Sequence, residues 1–283
     1  MDFNKADQVN FPGGLSILMS VYRRDNEQLF GKAVESAYAN TLLPDEFVLV
    51  IDGPIPPKLQ NKIKELSTKF PLTVLPLDAN VGLAKALNEG LKIISTEWVA
   101  RADADDINLN HRFASQAQLL ADHDSKLDLM GGSIQECELD GTPVAIRSTA
   151  LSHRDILGFA KRRNPFNHMT VIYRTSLART AGTGGYPCIH LKEDYALWAS
   201  MLHAGARTAN TNKILVQATA GRNMLRRRGG IKYAAAEIQL QRHLVNCHIK
   251  NHMQALFDGL MRATVFLLPS AIRGFLYERF LRI

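Results

Sequence analysis

The feature that most constrains the fold is the alternation of short apolar runs with amphipathic segments over the first hundred residues. Apolar runs occupy residues 15–21, 47–51 and 72–75, and a fourth run begins at Trp98. Their length and β-branched content are typical of strands buried on both faces. Between them, apolar residues recur at helical spacing. Strand and helix alternate four times, which predicts an α/β fold with a mostly parallel, Rossmann-like sheet flanked by helices.

Acidic residues follow two of these predicted strands. Asp52 comes after the second strand, and Asp103, Asp105 and Asp106 come after the fourth. In parallel sheets, ligands bind at the carboxyl ends of the strands. Three carboxylates within four residues repel one another unless they are solvated or meet a cation. The cluster is therefore either an acidic loop that caps the next helix or a site for a hard divalent ion, with Asp103 and Asp105 aimed at one point.

Composition narrows the class of protein. Hydrophobic residues make up 46% and charged residues 22% of the 283-residue chain, as in globular proteins of one large or two small domains. No GxGxxG follows the first strand, which disfavours dinucleotide binding. Three widely spaced cysteines indicate reduced thiols without metal spacing. The first residues lack the apolar core of a signal peptide, so we expect a cytoplasmic protein.

Beyond residue 110 the pattern becomes less regular. A hairpin is expected around Asp140-Gly141, a flexible loop at residues 182–187, and a helix opened by Glu193 and Asp194. The other elements expected here are helices at 112–123 and 152–163 and strands at 170–173 and 214–218.

The last part of the chain carries the excess of positive charge. From residue 222 onward there are 11 Lys and Arg against three acidic residues. A polar helix at 231–250 precedes an apolar stripe at 253–268, which Asp258 and Arg262 interrupt, so that a membrane-spanning helix is excluded. We expect a catalytic domain at 1–230 and a basic amphipathic helical extension at 231–283. The extension lies either on an anionic membrane surface or on the protein's own core.

Five segments in order carry a resemblance to a known family. They read LSILMSVYRRD, LVIDGP, DANVGLAKALNEGL, ARADADD and KEDYALW. Together they resemble the family 2 inverting glycosyltransferases, over roughly residues 15–230. The most similar pattern is that of bacterial enzymes that build O-antigen or exopolysaccharide units on a lipid-diphosphate carrier.

The resemblance implies a fold, a reaction and a location. The fold would be the GT-A nucleotide-diphospho-sugar transferase fold. The reaction would be the inverting transfer of one sugar from a nucleoside-diphosphate sugar to a lipid-linked saccharide, and the resemblance favours a UDP-sugar as the donor. A divalent cation and arginines would stabilise the departing nucleoside diphosphate. Such an enzyme would act at the cytoplasmic face of the inner membrane as a peripheral protein.

Four residues would bind the nucleotide by this resemblance. Asp52 would accept a hydrogen bond from a uracil-like N–H, or would cap its own turn before Gly53. Asn80 and Gly82 would form the nucleotide-contacting turn, with Asn80 capping the following helix. Lys85, one turn on, would face either the nucleotide or solvent.

The acidic cluster would hold the cation. Asp103 would contact ribose or the metal shell, and Asp105 would bind Mn²⁺ or Mg²⁺ bridging the diphosphate. Asp106 would be a supporting or capping residue. Arg101 would pair with a phosphate or, equally, with a carboxylate.

The acceptor side would be formed by later residues. Asp194 would be the general base, with Glu193 as the second candidate; without the resemblance, both read as helix N-capping acids. His168 would shape the acceptor pocket or play a structural role. Trp198 would belong to the helix core or stack on a sugar ring.

A basic loop completes the expected site. One or more of Arg226, Arg227 and Arg228 would fold over the diphosphate, the alternatives being a solvated loop or a membrane patch. The chain lacks the Gln-x-x-Arg-Trp signature and spanning helices of polymerising members, so we expect one sugar per encounter.

Two other functions compete with this interpretation. A sugar-phosphate nucleotidyltransferase would share the sheet and metal site, but residues 19–25 lack the glycine-rich signature of that class. A nucleic-acid-binding protein could use the basic tail, but the acidic cluster would repel a phosphate backbone, so no nucleic-acid partner is expected.

Overall fold

The alternation of strands and helices predicted for the first hundred residues is confirmed. The computed structural model of the 283-residue chain describes residues 9–219 and 229–268. Its first elements are β1 (Leu15–Val21), α1 (Glu27–Tyr38), β2 (Glu46–Ile51), α2 (Pro57–Lys69), β3 (Thr73–Pro76), α3 (Leu83–Ile93) and β4 (Trp98–Arg101). Asn26 begins α1 by accepting hydrogen bonds from the N–H groups of Gln28 and Leu29, as an N-cap residue does.

The second half adds mainly antiparallel strands. The predicted hairpin is present, with Gly141 in its turn at φ +88°. A short 3-10 helix covers His168–Thr170. The remaining elements are β5 (Ile107–Asn108), α4 (Arg112–Ala121), β6 (Leu129–Cys137), β7 (Pro143–Arg147), α5 (His153–Ala160), β8 (Ile172–Arg174), α6 (Thr175–Thr180), α7 (Glu193–His203) and β9 (Thr208–Thr219).

The strands of the described residues form one sheet in the order β3-β2-β1-β4-β8-β6-β9-β5, with β7 paired to β6. β1 pairs in parallel with both β2 and β4, and β2 with β3. β8 runs antiparallel to β4. The chain thus moves outward from β1 to β3 and returns to β4, so that β1 and β4 flank a topological switch point. The carboxyl ends of β1, β2 and β4 lie at the same edge, where such sheets bind ligands.

Apolar clusters cover both faces of the sheet. Alternate residues of β1 point to opposite sides, because successive side chains of a strand do so. Leu18 belongs to the cluster that contains Trp198, whereas Ile17 and Met19 belong to the cluster that contains Phe30. Burying each of these side chains stabilises the fold by about 1.5–3 kcal/mol.

Close packing of α3 on the sheet depends on Gly90. A Cβ atom at this position would lie 2.5 Å from a methyl carbon of Leu18 and 2.7 Å from one of Val50. A larger residue would push the helix away from β1 and β2. The glycine therefore allows the second half of α3 to pack closely on β1 and β2.

Two helices follow the sheet, α8 (Ile231–Asn246) and α9 (His252–Leu267). α8 contributes Leu240 and Leu244 to the same apolar cluster as α7. Asn251 begins α9 with a capping box that it forms with Gln254. Across residues 9–219 and 229–268, no helix has the length and apolar character that crossing a bilayer requires.

Candidate active site

Carboxylates from three strands converge at one edge of the sheet. Asp25 follows β1, Asp52 follows β2, and Asp103 and Asp105 follow β4. This arrangement results directly from the parallel pairing of the three strands, which brings their carboxyl ends together. The predicted location of the site, at the ends of β2 and β4, agrees with this topology.

Asp103 has both carboxylate oxygens paired with cationic side chains. Arg101 Nη2 lies 2.5 Å from Oδ1, and His168 Nε2 lies 2.8 Å from Oδ2. Burial alone would raise the pKa of Asp103, but the Arg101 and His168 charges outweigh it and hold that pKa well below its usual range. Each oxygen of Asp103 keeps a further acceptor position, so a contact between Asp103 and a metal ion stays a prediction.

Arg101 is an internal residue with an exposed fraction of 2%. Besides its ion pair with Asp103, it donates a hydrogen bond to the carbonyl of Ala102. Its own carbonyl accepts a hydrogen bond of 2.9 Å from Arg112 Nη2. Of the two partners that the sequence allows for Arg101, the structure has the carboxylate, and a phosphate contact stays a prediction.

Asp105 and Asp106 are joined to the end of β9. Thr219 donates its N–H to Asp106 Oδ1 at 3.0 Å and its hydroxyl to the Asp105 carbonyl at 2.7 Å. Asp106 is buried, and burial, followed by the charges of Asp103 and Asp105, raises its pKa to about 8. Asp106 thus bonds the end of a strand and not the start of a helix, and its supporting role in the site stays a prediction. The Asp105 side chain, in contrast, is exposed.

Asp25 is not among the residues that the sequence predicted for the site. Burial, with further contributions from the charges of Asp105 and Asp103, raises the pKa of Asp25 to about 7, against a hydrogen bond from the Tyr22 N–H at 2.8 Å that lowers it. Asp25 thus adds a fourth carboxyl to the acidic edge. The position of Asp25 directly after the first strand of a parallel sheet is the signal that could have identified it.

The residues present fit a divalent cation held by few protein ligands. No group of three or more potential ligands occurs among the residues that the structure describes. Loss of hydration among the surrounding groups and then the Asp103 charge raise the pKa of Asp105, although its side chain still reaches solvent, so a cation would relieve the repulsion between the two carboxylates. A hard cation bound by one carboxylate takes its other ligands from substrate phosphates and water. Asp105 supplies one such carboxylate.

The Asp52 carboxylate organises the loop that leads into α3. Oδ1 accepts the Val81 N–H at 2.7 Å, and Oδ2 accepts the Gly82 N–H at 3.1 Å and the Asn80 side-chain amide at 2.9 Å. The prediction that Asn80 caps α3 is wrong. The helix begins after Gly82, and Asn80 donates its side-chain amide to Asp52. Gly53 has φ +80°, and a Cβ atom there would lie 2.4 Å from the Asn80 nitrogen, so glycine is required for this close approach.

The first turn of α3 borders a cleft. Gly82 is the N-cap residue, with φ +88°, and a Cβ atom there would meet nothing within 4 Å. Lys85 lines a cleft of about 930 Å³ together with Asp78, Glu89 and Arg179. The open space next to Gly82 and the ammonium group of Lys85 are compatible with a bound nucleotide. The nucleotide contacts of Gly82 and Lys85 stay predictions.

The start of α7 brings a second pair of carboxyls to the acidic edge. Burial, and then the charge of Asp194, raises the pKa of Glu193 to about 7. Asp194 Oδ2 lies 4.0 Å from His168 Nδ1, and Asp194 Oδ1 is buried without a hydrogen-bond partner among the described residues. His168 therefore stands between Asp103 and Asp194, a bridge that the sequence did not reveal.

Charge raises the pKa of His168. Burial alone would lower it, but the charges of Asp194 and Asp103 and the hydrogen bond to Asp103 raise it to about 9. The imidazolium form is consequently the one that these two carboxylates favour.

Trp198 is a core residue, and its predicted contact with a sugar is wrong. It has an exposed fraction of 0% and packs against Phe166, Tyr173 and Tyr186. The reason is that α7 is buried on almost all sides, so a residue one turn beyond Asp194 already lies inside the apolar cluster. No ring face remains for an acceptor.

The glycine-rich loop before α7 is anchored rather than freely exposed. Asn88 of α3 pairs its side-chain amide with both backbone groups of Tyr186, at 2.6 Å to the N–H and 2.9 Å to the carbonyl. The Tyr186 hydroxyl lies 3.1 Å from that of Tyr173. These bonds connect α3 to the segment that leads to Asp194.

Three predicted arginines, Arg226, Arg227 and Arg228, lie outside the described residues. The described residues that flank them are informative, however. Thr219 is bound to the acidic cluster, and the Gly230 N–H donates to the Phe266 carbonyl at 2.9 Å. The last described residue before the arginines, Thr219, thus lies against Asp105 and Asp106.

Strand order and the acidic edge place the chain in the GT-A fold class. Two solved structures share this fold. S. aureus TarS residues 1–349 in complex with UDP-GlcNAc gives a TM-score of 0.66 at 18% identity, covering 95% of this chain and 76% of that one. The mannosyltransferase PcManGT from Pyrobaculum calidifontis in complex with GDP-Man and Mn²⁺ gives 0.58 at 16% identity, covering 91% and 77%.

The chain belongs to glycosyl transferase family 2, whose model matches residues 16–179. An uncharacterized glycosyltransferase of Haemophilus influenzae is 39% identical, with 94% of this chain and 98% of the relative covered. The amylovoran biosynthesis glycosyltransferase AmsE of Erwinia amylovora is 34% identical, with 93% and 98% covered. An Escherichia coli UDP-Gal:alpha-D-GlcNAc-diphosphoundecaprenol beta-1,3-galactosyltransferase is 32% identical, with 94% and 96% covered. Membership favours a glycosyltransferase over the two competing functions.

Proposed function

We propose that this protein transfers one sugar from a nucleoside-diphosphate sugar, a UDP-sugar in preference, to a lipid-diphosphate-linked saccharide in O-antigen or exopolysaccharide synthesis. The names of the E. coli and Erwinia relatives support this substrate class. The observation that carries the proposal is the pair of carboxylates on either side of His168, Asp103 next to the cation site and Asp194 at the start of α7.

Asp105 would hold the cation, Mn²⁺ or Mg²⁺. We assign the metal first to Asp105, whose side chain is exposed, and Asp103, which has one cationic partner on each oxygen, stays the second candidate ligand. When bound, the cation neutralises the charge of the departing diphosphate. Arg226 and Arg227 are assigned to the same diphosphate. Support comes from Thr219, which binds the start of their segment to the acidic cluster.

The nucleotide would lie over the turn that Asp52 organises. A carboxylate has about four acceptor positions, and three N–H groups of the protein occupy three of those on Asp52. The remaining position, on Oδ1, is assigned to a uracil-like N–H. Asn80 and Gly82 would then contact the nucleotide through the backbone, and Lys85 would approach from the cleft.

Asp194 would be the general base. Its Oδ1 is buried, so the proton of an acceptor hydroxyl is assigned to Oδ2, which lies 4.0 Å from the His168 ring. The hydroxyl oxygen attacks the anomeric carbon while the bond to the diphosphate oxygen breaks on the opposite face. A single displacement of this kind inverts the configuration, and release of the product after each transfer makes the enzyme non-processive.

The test is turnover of Asp194→Asn, with Glu193→Gln as the matched control. Removing a general base costs about 10²–10⁴-fold in rate, so Asp194→Asn should lose kcat by that factor. Glu193→Gln should stay near the wild-type rate, because burial and Asp194 already favour the neutral form of Glu193. If Asp194→Asn keeps full turnover, the base assignment fails; if only Glu193→Gln loses activity, the base is Glu193.

α9 would attach the protein to an anionic membrane surface. Its charged residues point inward, since Asp258 pairs with Lys250 at 2.5 Å and Arg262 with Glu237 at 3.7 Å. Its outward face is apolar, with Met253 74% and Phe257 68% exposed. Excess Lys and Arg beyond residue 222 and a diphosphoundecaprenol-linked acceptor in the E. coli relative favour a bilayer as the occupant. The location would be the cytoplasmic face of the inner membrane.

Vesicle flotation tests this attachment. Binding to phosphatidylglycerol vesicles should exceed binding to phosphatidylcholine vesicles, and Phe257→Glu should abolish most of it. Ala235→Glu, which adds the same charge on the exposed side of α8, is the control and should bind normally. Equal flotation of the wild type and Phe257→Glu, or concentration-dependent dimerisation that Phe257→Glu removes, would contradict membrane attachment.

A further inference from the structure

Lys192 connects the C-terminal helices to the start of α7. This residue directly precedes Glu193 and Asp194 and is the N-cap residue of α7. Its Nζ lies 3.0 Å from Glu237 Oε2 on α8. It also lies 5.5 Å from the ring centre of Tyr233 on α8 and 5.4 Å from that of Phe266 on α9. The ammonium group therefore occupies a cage that α8 and α9 build together.

The carboxylate of that cage is itself fixed. Glu237 has an exposed fraction of 0%. Gln241 Nε2 donates to its Oε1 at 2.8 Å, and Arg262 Nη1 lies 3.7 Å from the same oxygen. A buried carboxylate held from several sides has little freedom to move, so it holds the Lys192 ammonium at a defined point.

The backbone before Lys192 is strained. Leu191 has φ +56°, a conformation that bulky residues rarely adopt. Its side chain is 52% exposed, so burial of Leu191 does not explain the conformation. Such strain persists only where the surroundings impose it, and it concentrates at functional sites. The contacts that hold the next residue, Lys192, can impose this conformation on Leu191.

The Asp194 side chain depends on this backbone for its orientation. Among the described residues its Oδ1 has no hydrogen-bond partner, and its Oδ2 is 4.0 Å from His168. No hydrogen bond between side chains therefore fixes the carboxylate. Its direction follows from where the first turn of α7 begins.

We infer that Lys192 is a positioning residue for Asp194. By holding Lys192 between Glu237, Tyr233 and Phe266, α8 and α9 fix the turn that aims the Asp194 carboxylate at the acceptor. The C-terminal helices thereby belong to the catalytic apparatus and do more than extend the fold. This inference rests on the proposed function in one respect, the role of Asp194 as base.

A purely structural role for the cage is the competing interpretation, and the chain contains a matched pair to separate the two. Lys250 and Asp258 form another ion pair at 2.5 Å, with Lys250 1% exposed in its side chain. This pair joins the segment after α8 to α9, and no direct contact with Lys192 or Glu237 accompanies it among the described residues. Lys250 also donates to Gln241 Oε1 at 2.9 Å, a bond that Asp258→Asn leaves in place. Asp258→Asn should therefore weaken the packing of the helices without changing the aim of Asp194.

The experiment compares Lys192→Met, Lys192→Arg, Glu237→Gln and Asp258→Asn in the full chain. The donor is the UDP-sugar that the wild type turns over fastest, and the acceptor is a synthetic GlcNAc-diphospholipid. Small misplacements of a catalytic group cost up to about 10²-fold, so Lys192→Met and Glu237→Gln should lower kcat about 10-fold or more. The donor KM and the Tm shift caused by UDP with Mn²⁺ should stay within about twofold, since the donor site is untouched. Lys192→Arg should retain most activity.

A double variant adds a readout that a structural role would not move. Glycine adopts positive φ without strain, so Leu191→Gly combined with Lys192→Met should recover part of the lost kcat. Asp258→Asn should lower Tm with kcat unchanged. Wild-type kcat in Lys192→Met, or an equal kcat loss in Asp258→Asn at the same loss of Tm, would overturn the inference. If Lys192→Met does not fold, Glu237→Gln decides, because it keeps the side-chain volume.

Asp194→Asn assayed in the same series separates the inference from the proposed function. Loss of activity in Asp194→Asn together with normal kcat in the Lys192 and Glu237 variants rejects only the positioning role. Full activity in Asp194→Asn rejects the base assignment, whatever the other variants do.

Discussion

The two carboxylates on either side of His168 differ in how fully they are paired. Asp103 has a cationic partner on each oxygen, at 2.5 Å and 2.8 Å. Asp194, on the opposite side of the ring, has one oxygen 4.0 Å from that ring and another that is buried without a partner among the described residues. A fully paired carboxylate organises the structure around it, whereas an unpaired one keeps the capacity to accept a proton or bind a cation.

The same difference separates other carboxylates of the site. Asp52 and Asp106 accept hydrogen bonds from backbone N–H groups, and both are buried. Asp105 is exposed, and its neighbours disfavour its charged form. We therefore expect substitution of the paired carboxylates, Asp103 and Asp52, to change mainly the stability of the fold. Substitution of Asp105 should change mainly the rate of sugar transfer.

The largest effect should come from Asp105→Ala. Loss of one electrostatic contact to a leaving group costs about 10²–10³-fold in kcat, and the response to Mn²⁺ should disappear with it. Transfer rates across a Mn²⁺ titration measure both. Asp122→Ala, on the exposed end of α4, is the control and should behave as the wild type. If Asp105→Ala keeps the wild-type rate and that rate does not depend on Mn²⁺, the distinction between paired carboxylates and the exposed Asp105 fails.

Asp103→Asn should act on stability first. Breaking a buried ion pair by removing one partner costs about 3–5 kcal/mol, because a buried charge is left without compensation. Arg101 would be that charge. Urea unfolding followed by circular dichroism measures the change. A variant with wild-type unfolding free energy would show that the Asp103 pairs contribute nothing to the fold.

Asp52→Asn should have the smallest of the three effects. An asparagine offers one acceptor oxygen and turns an NH₂ group toward the loop N–H groups of Val81 or Gly82. An unsatisfied buried group costs about 1–3 kcal/mol, and donor KM should rise because the loop loses its shape. Thermal unfolding and donor saturation curves measure the two. Asp78 also lines the cleft, so Asp78→Asn is the control for Asp52→Asn. Unchanged stability would mean that the loop does not depend on Asp52.

Local patterns predicted the parallel half of the fold well. The runs that include β1 and β2 agree with the structure closely, because burial on both faces leaves a continuous apolar signal in the sequence. β9 is longer than predicted, since its first half is polar and is recognisable only through its pairing with β6. Asn80 looked like a helix cap because caps are local, whereas its partner Asp52 lies 28 residues away.

The site was predicted in its parts but not in its connections. The carboxylates at the ends of β2 and β4 follow from strand topology. The contact between His168 and Asp103 joins residues 65 apart, and no spacing rule reveals it. The burial of Trp198 depends on three aromatic rings from other elements, so a helical repeat alone could not decide its role. The Lys192 cage likewise exists only after α8 and α9 have folded back.

The amide of Asn88 acts on Tyr186 as a neighbouring strand would, satisfying both its N–H and its carbonyl. This clamp fixes the register of the chain at Tyr186, and it requires glycine at position 185, where a Cβ atom would lie 2.3 Å from Asn88 Oδ1. A larger residue at 185 would push the Asn88 amide away and release both backbone groups of Tyr186. The loop before the catalytic helix therefore tolerates sequence change only where this glycine is kept.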